Sequence, residues 1–281
     1  MRPLILVTND DGILSPGLLA AAEAVCELGD LLIVAPRFQQ SGMGRSYPRN
    51  ADTGIIEKFK VTVNGKEIDA YGVHGSPAQA VAHGVLELAD RKIDMCVSGI
   101  NYGQNLGSSI TCSGTVGAAL EANSYGISAI AVSREADLNI QHSSDYVEIN
   151  WEVAKRITSA VAYEVLKNGL PEGISILNIN VPERATCDSE VRITKLSKSS
   201  FSIFLKPPRR DFNKGYILKS QIYVDVESED KDTDVYAFYV DKVISITPLS
   251  WDLTSKVEWK CTKRFKTIFS RNWATGGPDY E

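Results

Sequence analysis

The sequence of 281 residues predicts an α/β fold with a mostly parallel β-sheet, followed by a β-rich arm. In the first 135 or so residues, short apolar runs alternate with segments of helical spacing. The runs are apolar without interruption, which is typical of strands buried on both faces of a parallel sheet. Strands that alternate with helices form right-handed βαβ units. Beyond residue 189 the segments become shorter and more β-like, and this change predicts the arm.

The predicted elements follow in chain order. Apolar runs predict strands at residues 4–8, 31–35, 93–97, 127–132, 174–180 and 243–248. Residues 58–63 and 67–71 flank Asn64-Gly65, the strongest short signal for a β-hairpin. Helical spacing predicts helices at residues 16–28, 77–88, 115–122 and 145–167. Ser76 is placed to cap the second helix, with Pro77 as its first residue.

The second half of the chain has a different pattern of apolar and polar residues. Strand-like segments occur at residues 201–205, 216–226 and 235–239, and the acidic run 227–234 is typical of a solvated loop. We therefore predict a single domain over residues 1–281. Its core takes residues 1–185 and 243–250, its β-rich excursion about 186–242, and its tail 251–281. The excursion is interpreted as an arm or oligomerisation element.

Bulk composition excludes several classes of function. The net charge of −5 disfavours a nucleic acid polymer as partner, because binding to a phosphate backbone requires a basic surface. No apolar stretch reaches the ~18 residues of a membrane span. Asn9 and Asp10 interrupt the N-terminal apolar run too early for a signal peptide, so we expect a cytoplasmic protein without a membrane partner. The five cysteines lack the spacing of a zinc site or a disulfide framework.

The first strand ends in two adjacent acids, Asp10 and Asp11, followed by Gly12. Ligands of parallel α/β sheets bind outside the carboxyl ends of the strands. Two carboxylates there repel each other unless a positive charge lies between them, and a divalent cation with oxygen ligands is the simplest candidate. The alternative is that one acid caps the following helix while the other is solvated.

Three further loops follow strands and should lie at the same edge. Residues 35–46 carry glycines, basic side chains and the hydroxyl of Ser41, although a flexible surface loop would look similar. Residues 98–107 combine three glycines with Asn101 and Asn105, and the amide oxygen of Asn101 suits a hard cation. Ser113-Gly114-Thr115 opens a helix, whose free N–H groups favour phosphate. The alternative there is that Ser113 is simply an N-cap.

Together these segments resemble the SurE (survival protein E) family of nucleotidases. The resemblance rests on four blocks in the first half of the chain and one late strand. They read VTNDDGILSPG, VAPRFQQSGMGRS, VSGINYGQNLG, SGTVGAALEA and VISITPL. It implies a Rossmann-like three-layer sandwich and a metal-dependent phosphatase of nucleoside 5′- and 3′-monophosphates. It also implies a homodimer or homotetramer formed by exchange of C-terminal elements.

The resemblance also assigns roles to residues of this chain. One Mg²⁺ or Mn²⁺ ion per subunit would be held by Asp10, Asp11, Ser41 and Asn101. The phosphate pocket would be lined by Asn9, Gly42, Asn105, Ser113, Gly114 and Thr115. Asn9 would join Asp10 and Asp11 as the catalytic residues, around a metal-activated water. The chain departs from the family at Gln79, where an Asp is usual.

Two alternatives to this function remain. One is a phosphatase of other phosphate esters or of short polyphosphate. The other is a nonenzymatic nucleotide-binding protein, which would need the phosphate site but not two acids after the first strand. Phe38 and Tyr102 are candidates for stacking a base.

Overall fold

The structure is a computed structural model that describes residues 2–137 and 146–254. Residues described between 2 and 250 form one compact unit. Eleven strands occur in the described residues. They are β1 (Leu4–Thr8), β2 (Asp30–Pro36), β3 (Ile56–Val63), β4 (Lys66–Val73), β5 (Met95–Tyr102), β6 (Ser128–Arg134), β7 (Ile176–Val181), β8 (Val191–Ile193), β9 (Ser202–Phe204), β10 (Ser220–Ile222) and β11 (Ile244–Leu249). The predicted tail lies outside the described residues beyond residue 254.

Nine strands form one sheet in the order β3-β4-β2-β1-β5-β6-β7-β11-β8. All neighbouring pairs in it are parallel except β3–β4 and β7–β11. The mostly parallel sheet of the prediction is therefore confirmed. The predicted hairpin is β3–β4, and Asn64 and Gly65 both have positive φ, as its two-residue turn requires. A separate antiparallel pair joins β9 to β10.

Helices cover both faces of the sheet. The described α-helices are α1 (Pro16–Val25), α2 (Pro77–His83), α3 (Gly114–Ser124), α4 (Glu152–Asn168) and α5 (Asp234–Tyr239). A π-helical turn continues α2 over Gly84–Leu88, and a 3₁₀ turn at Ser108–Cys112 precedes α3. One hydrophobic cluster lies between the sheet and the α1/α4 layer, and a second lies under α2 and α3. This is the three-layer sandwich that was predicted. No helix among the described residues is both long enough and apolar enough to cross a membrane.

The departure at Gln79 has a structural explanation in the cap of α2. Ser76 Oγ accepts from the Gln79 N–H (3.2 Å), and Gln79 Oε1 accepts from the Ser76 N–H (2.9 Å). This reciprocal pair is a capping box, which satisfies two otherwise free helix donors. Gln79 Nε2 also donates to the Pro48 carbonyl (2.9 Å), a bond that a carboxylate cannot make. The amide therefore fastens the loop before β3 to α2.

Three predictions in the second half are wrong in whole or in part. Residues 235–239 were predicted as a strand but lie in α5, which Thr233 caps by accepting from the Tyr236 N–H. Val235 and Phe238 pack against Leu106 in a third, small cluster, and this packing outweighs their strand propensity. The acidic run predicted as a solvated loop is exposed over most of residues 227–232, but at its end Asp234 is fully buried. Helix α4 begins at Glu152, seven residues later than predicted, and the predicted start at residue 145 lies outside the described residues.

Candidate active site

The turn after β1 presents two acids at the carboxyl edge of the sheet. Asn9 closes this turn on itself: its Oδ1 accepts from the Gly12 N–H (3.2 Å) and its Nδ2 donates to the Gly12 carbonyl (3.1 Å). Gly12 has φ +106 and lies against the backbone of Phe38, an approach that favours glycine. Asn9, predicted as a catalytic residue, is thus placed where it shapes the turn that holds Asp10 and Asp11.

Asp10 is buried against the start of α3. Its Oδ1 accepts from the Thr115 hydroxyl (2.7 Å), and the backbone N–H groups of Gly114 and Thr115 also bond to it. Burial raises the pKa of Asp10 from 3.8 to about 6, and these hydrogen bonds oppose the rise. A carboxylate is therefore held at the positive end of the α3 dipole.

Asp11 is the more strongly perturbed member of the pair. Its Oδ2 accepts from the Tyr102 N–H (3.1 Å) and its Oδ1 from Gln39 Nε2 (3.3 Å). Burial and the neighbouring charge of Asp10 raise the pKa of Asp11 to about 8. No lysine or arginine is among the described groups that shift either pKa. Within the part of the chain that the structure describes, the pair therefore has no lysine or arginine that compensates its charge.

The loop after β2 is attached directly to this turn. The Gln40 N–H donates to the carbonyl oxygen of Asp10 (2.7 Å), so Ser41 follows directly on the residue that attaches the loop to this turn. Gly42 is exposed, has φ +77, and has open space around the position of a Cβ. The loop then docks on α3, where Arg45 pairs with the buried Glu121 (2.6 Å).

Asn101 reaches the same edge from β5. The register of β5 against β6 shifts between Ser98 and Asn101, a bulge that re-aims the strand end. Gly99 permits this, because a Cβ there would lie 2.3 Å from the Val132 carbonyl oxygen. Asn101 Nδ2 donates to the Gly103 carbonyl (2.7 Å), so the amide oxygen is the atom that remains to bind a cation.

Asn105 is the centre of a polar network across β6 and β7. Its Nδ2 donates to Ser133 Oγ (2.8 Å) and, at 3.4 Å, to Thr115 Oγ1, which itself bonds to Asp10. Its backbone N–H and carbonyl bond to the side chain of Asn180 (2.7 and 3.0 Å). A chain of hydrogen bonds thus connects Asn105 to the acid pair through Thr115.

The Ser113-Gly114-Thr115 segment is the N-terminus of α3, as predicted. Ser113 caps the helix, since its Oγ accepts from the Val116 N–H (3.1 Å). Gly114 fits against Asp10 so closely that a Cβ there would lie 2.6 Å from the Asp10 Cβ. Both alternatives for this segment agree with the geometry: Ser113 is an N-cap, and the start of the helix also lies against a carboxylate.

The donor set suits a hard divalent cation. Two carboxylates, an amide oxygen and a hydroxyl supply the oxygen ligands that Mg²⁺ and Mn²⁺ prefer. Among the described residues, no group of three or more His, Cys, Asp and Glu side chains is arranged to hold a metal ion. A cation here would consequently depend on the neutral oxygens of Ser41 and Asn101 as well as on the acids.

Two contacts at the site were not predicted. Gln39, which bonds to Asp11, lies in the loop of residues 35–46 that the sequence indicates, but it was not itself named as a site residue. Tyr146 donates its hydroxyl to the Asp11 carbonyl (2.7 Å), and no local pattern marks it. Tyr146 also stacks on Tyr102, and the Tyr102 ring makes a T-shaped contact with Trp151. Tyr102 is buried and does not offer a face to a base.

These features define the class of the protein. It is an α/β protein of Rossmann-like architecture, with a buried pair of acids at the ligand-binding edge and a helix N-terminus beside it. The chain belongs to the SurE family: the family model described as Survival protein SurE matches residues 5–203. The resemblance inferred from the sequence blocks is therefore confirmed.

Named relatives and a solved structure are similar over nearly the whole chain. The 5′-nucleotidase SurE of Methanosarcina barkeri is 37% identical over 94% of this chain and 98% of its own length. That of Methanothrix thermoacetophila is 40% identical over 91% of this chain and 95% of its own. The crystal structure of the SurE protein from Aquifex aeolicus, 29% identical, has a TM-score of 0.70 and covers 95% of this chain and 100% of that one.

Proposed function

We propose that this chain is a metal-dependent phosphoric monoester hydrolase that converts nucleoside 5′-monophosphates, and also 3′-monophosphates, to nucleoside and phosphate. The observation that carries the proposal is the buried Asp10–Asp11 pair, which lies at the ligand-binding edge of the sheet and whose pKa values no lysine or arginine of the described residues lowers. The 5′-nucleotidase name of relatives similar over more than nine-tenths of the chain supports the choice of substrate.

In this proposal Asp10, Asp11, Ser41 and Asn101 hold one Mg²⁺ or Mn²⁺ ion. When bound, such an ion supplies charge stabilisation for phosphoryl oxygens and a lower pKa for a bound water. Thr115 and the Tyr102 N–H orient the two carboxylates through their hydrogen bonds. One acid of the pair accepts the proton of the attacking water.

The substrate phosphate is assigned to the space next to the acids. Gly42 contributes an exposed backbone on one side, and the start of α3 contributes its dipole on the other. Asn105 supports that side through its bond to Thr115. Donors fixed in place before the reaction stabilise the developing negative charge most effectively, since they need not reorganise.

We also propose that the protein acts in the cytoplasm as a homodimer or homotetramer formed through its arm. Support comes from a group of large apolar side chains that are exposed on and around β9 and β10: Ile203, Phe204, Ile217, Ile222 and Tyr223. Exposed apolar patches of this kind mark interaction surfaces. Sedimentation velocity is the test, and a monomer at micromolar concentration would overturn the oligomer.

Phosphate release tests the activity. The purified protein is expected to release phosphate from AMP and GMP with Mg²⁺ or Mn²⁺, and to lose this activity in EDTA until metal is restored. Asp10→Asn should lose turnover by about 10³-fold or more, because the charge that holds the cation is halved. Faster release from polyphosphate than from nucleotides would redirect the proposal to another substrate. Nucleotide binding without release would indicate a nonenzymatic protein.

A further inference from the structure

One large apolar side chain stands exposed beside the acid pair. Phe38 is 58% exposed, although it lies in the loop between β2 and Ser41. Its backbone carbonyl carbon is 3.3 Å from where a Cβ on Gly12 would be. The next residue, Gln39, bonds to the Asp11 carboxylate, and the one after it bonds to the Asp10 carbonyl. Phe38 is therefore fixed at the rim of the candidate site.

The ring of Phe38 contacts a stack of two further side chains, Arg37 and Phe59. The Arg37 guanidinium lies 4.7 Å from the centroid of the Phe38 ring and 5.1 Å from that of Phe59. The cation is thus between two aromatic rings, an arrangement stabilised by cation–π attraction. Phe59 belongs to β3, so the stack is anchored in the sheet.

A second set of contacts fixes the orientation of this stack. Glu57 accepts from Arg37 Nε (2.9 Å) and bonds to His74 Nε2 (2.6 Å). The His74 ring meets Phe38 edge to face, with centroids 5.6 Å apart and an interplanar angle of 79°. Arg37 and His74 together support Phe38, while more than half of its surface stays open to solvent. The ring is preorganised, which lowers the entropic cost of stacking a ligand on it.

We propose that Phe38 is the base-binding platform of this enzyme and that it selects purine nucleotides. This inference rests on the proposed nucleotidase function and deepens it. Among the described aromatic residues next to the acids, Phe38 offers a base the most open ring, because Tyr102 is buried and Tyr146 is stacked on Tyr102. Stacking accepts every base but favours those with a larger π surface. Purines therefore bind more tightly than pyrimidines.

The test compares substrates with and without a base. In Phe38→Ala, KM for AMP should rise about tenfold, the scale of one base–aromatic stack, while kcat stays within about twofold. KM for ribose 5-phosphate, which has no base, should not change. The wild-type preference for AMP over CMP should shrink in the variant. Phe38→Trp should restore the AMP value, whereas Phe38→Leu, which is apolar but not aromatic, should not.

Tyr163→Ala is the matched control, because Tyr163 is also an exposed aromatic (51%) but lies on α4. Equal KM changes for AMP and ribose 5-phosphate in Phe38→Ala, or no change for either, would overturn the platform. If the wild type hydrolyses neither compound, the proposed function fails instead. The platform is then judged by calorimetric binding of AMP, which should weaken about tenfold in Phe38→Ala. Equal affinity in the two proteins would overturn it.

Discussion

Replacing Asp11 by Asn is expected to stabilise the metal-free protein while it abolishes hydrolysis. The Asp11 carboxyl is 1% exposed and faces a second buried acid. Its pKa is raised to about 8 from 3.8, so the folded state retains protons that the unfolded state releases. The free energy of unfolding therefore falls as pH rises from about 4 to about 8. An Asn at this position carries no charge and should escape that loss.

The size of the gain follows from the width of this pH window. Each pK unit corresponds to about 1.4 kcal/mol, so the penalty at pH 7 is at most about 4 kcal/mol. The side chain of Asn can still accept from the Tyr102 N–H, which limits the loss of hydrogen bonding. We expect a gain of about 2–4 kcal/mol, which raises Tm by at least about 4 °C for a chain of this size.

Thermal unfolding in EDTA between pH 5 and 8.5 measures this effect. The difference in Tm between Asp11→Asn and the wild type should be smallest at pH 5 and should grow as the pH rises to about 8. Adding Mg²⁺ or Mn²⁺ should raise Tm of the wild type and leave that of the variant unchanged, because binding to the folded state stabilises it. A variant that is less stable than the wild type at pH 8 in EDTA would refute the reasoning.

Three further substitutions have distinct expected outcomes. Gly114→Ala would place a methyl 2.6 Å from the Asp10 Cβ and so displace the carboxylate. We expect kcat/KM for AMP to fall about 10²-fold while the circular dichroism spectrum stays native. Normal kinetics would show that the acid need not be held there. Asp234→Ala leaves three buried backbone donors, including the Gly107 N–H, without their acceptor. The free energy of unfolding, measured in urea, should fall by about 3 kcal/mol or more. A fall below about 1 kcal/mol would mean that water replaces the carboxylate. Gln79→Glu keeps the acceptor of the capping box but removes the donor to the Pro48 carbonyl, so the free energy of unfolding should fall by about 1–2 kcal/mol and Tm should fall with it. An unchanged Tm would argue against that bond.

The part of the site that could be predicted is the part encoded locally. Two acids at the end of an apolar run, and a Ser-Gly-Thr segment before a helix, carry their chemistry within a few residues. Parallel strands gather their carboxyl ends at one edge, so these segments were expected to meet, and the bond between Thr115 and Asp10 joins two of them.

The contacts that escaped prediction depend on distant parts of the chain. Tyr146 and Asp11 are 135 positions apart, and a single tyrosine in a polar segment gives no signal of their bond. The helix at residues 234–239 was missed because Val235 and Phe238 favour strands by propensity, whereas their packing on Leu106 decides the structure. Nothing local marks Asp234 as a buried acid, because one of its three backbone partners, the Gly107 N–H, lies 127 positions away.

The central claim is that the buried acid pair holds the divalent cation on which hydrolysis depends. Calorimetric titration of the EDTA-treated protein with Mn²⁺ tests it most directly, with AMP turnover measured on the same samples. We predict one Mn²⁺ per chain for the wild type, no binding in the same range for Asp10→Asn, and turnover that rises in proportion to occupancy. Equal Mn²⁺ affinity in the two proteins, or full turnover by metal-free wild type, would contradict the claim.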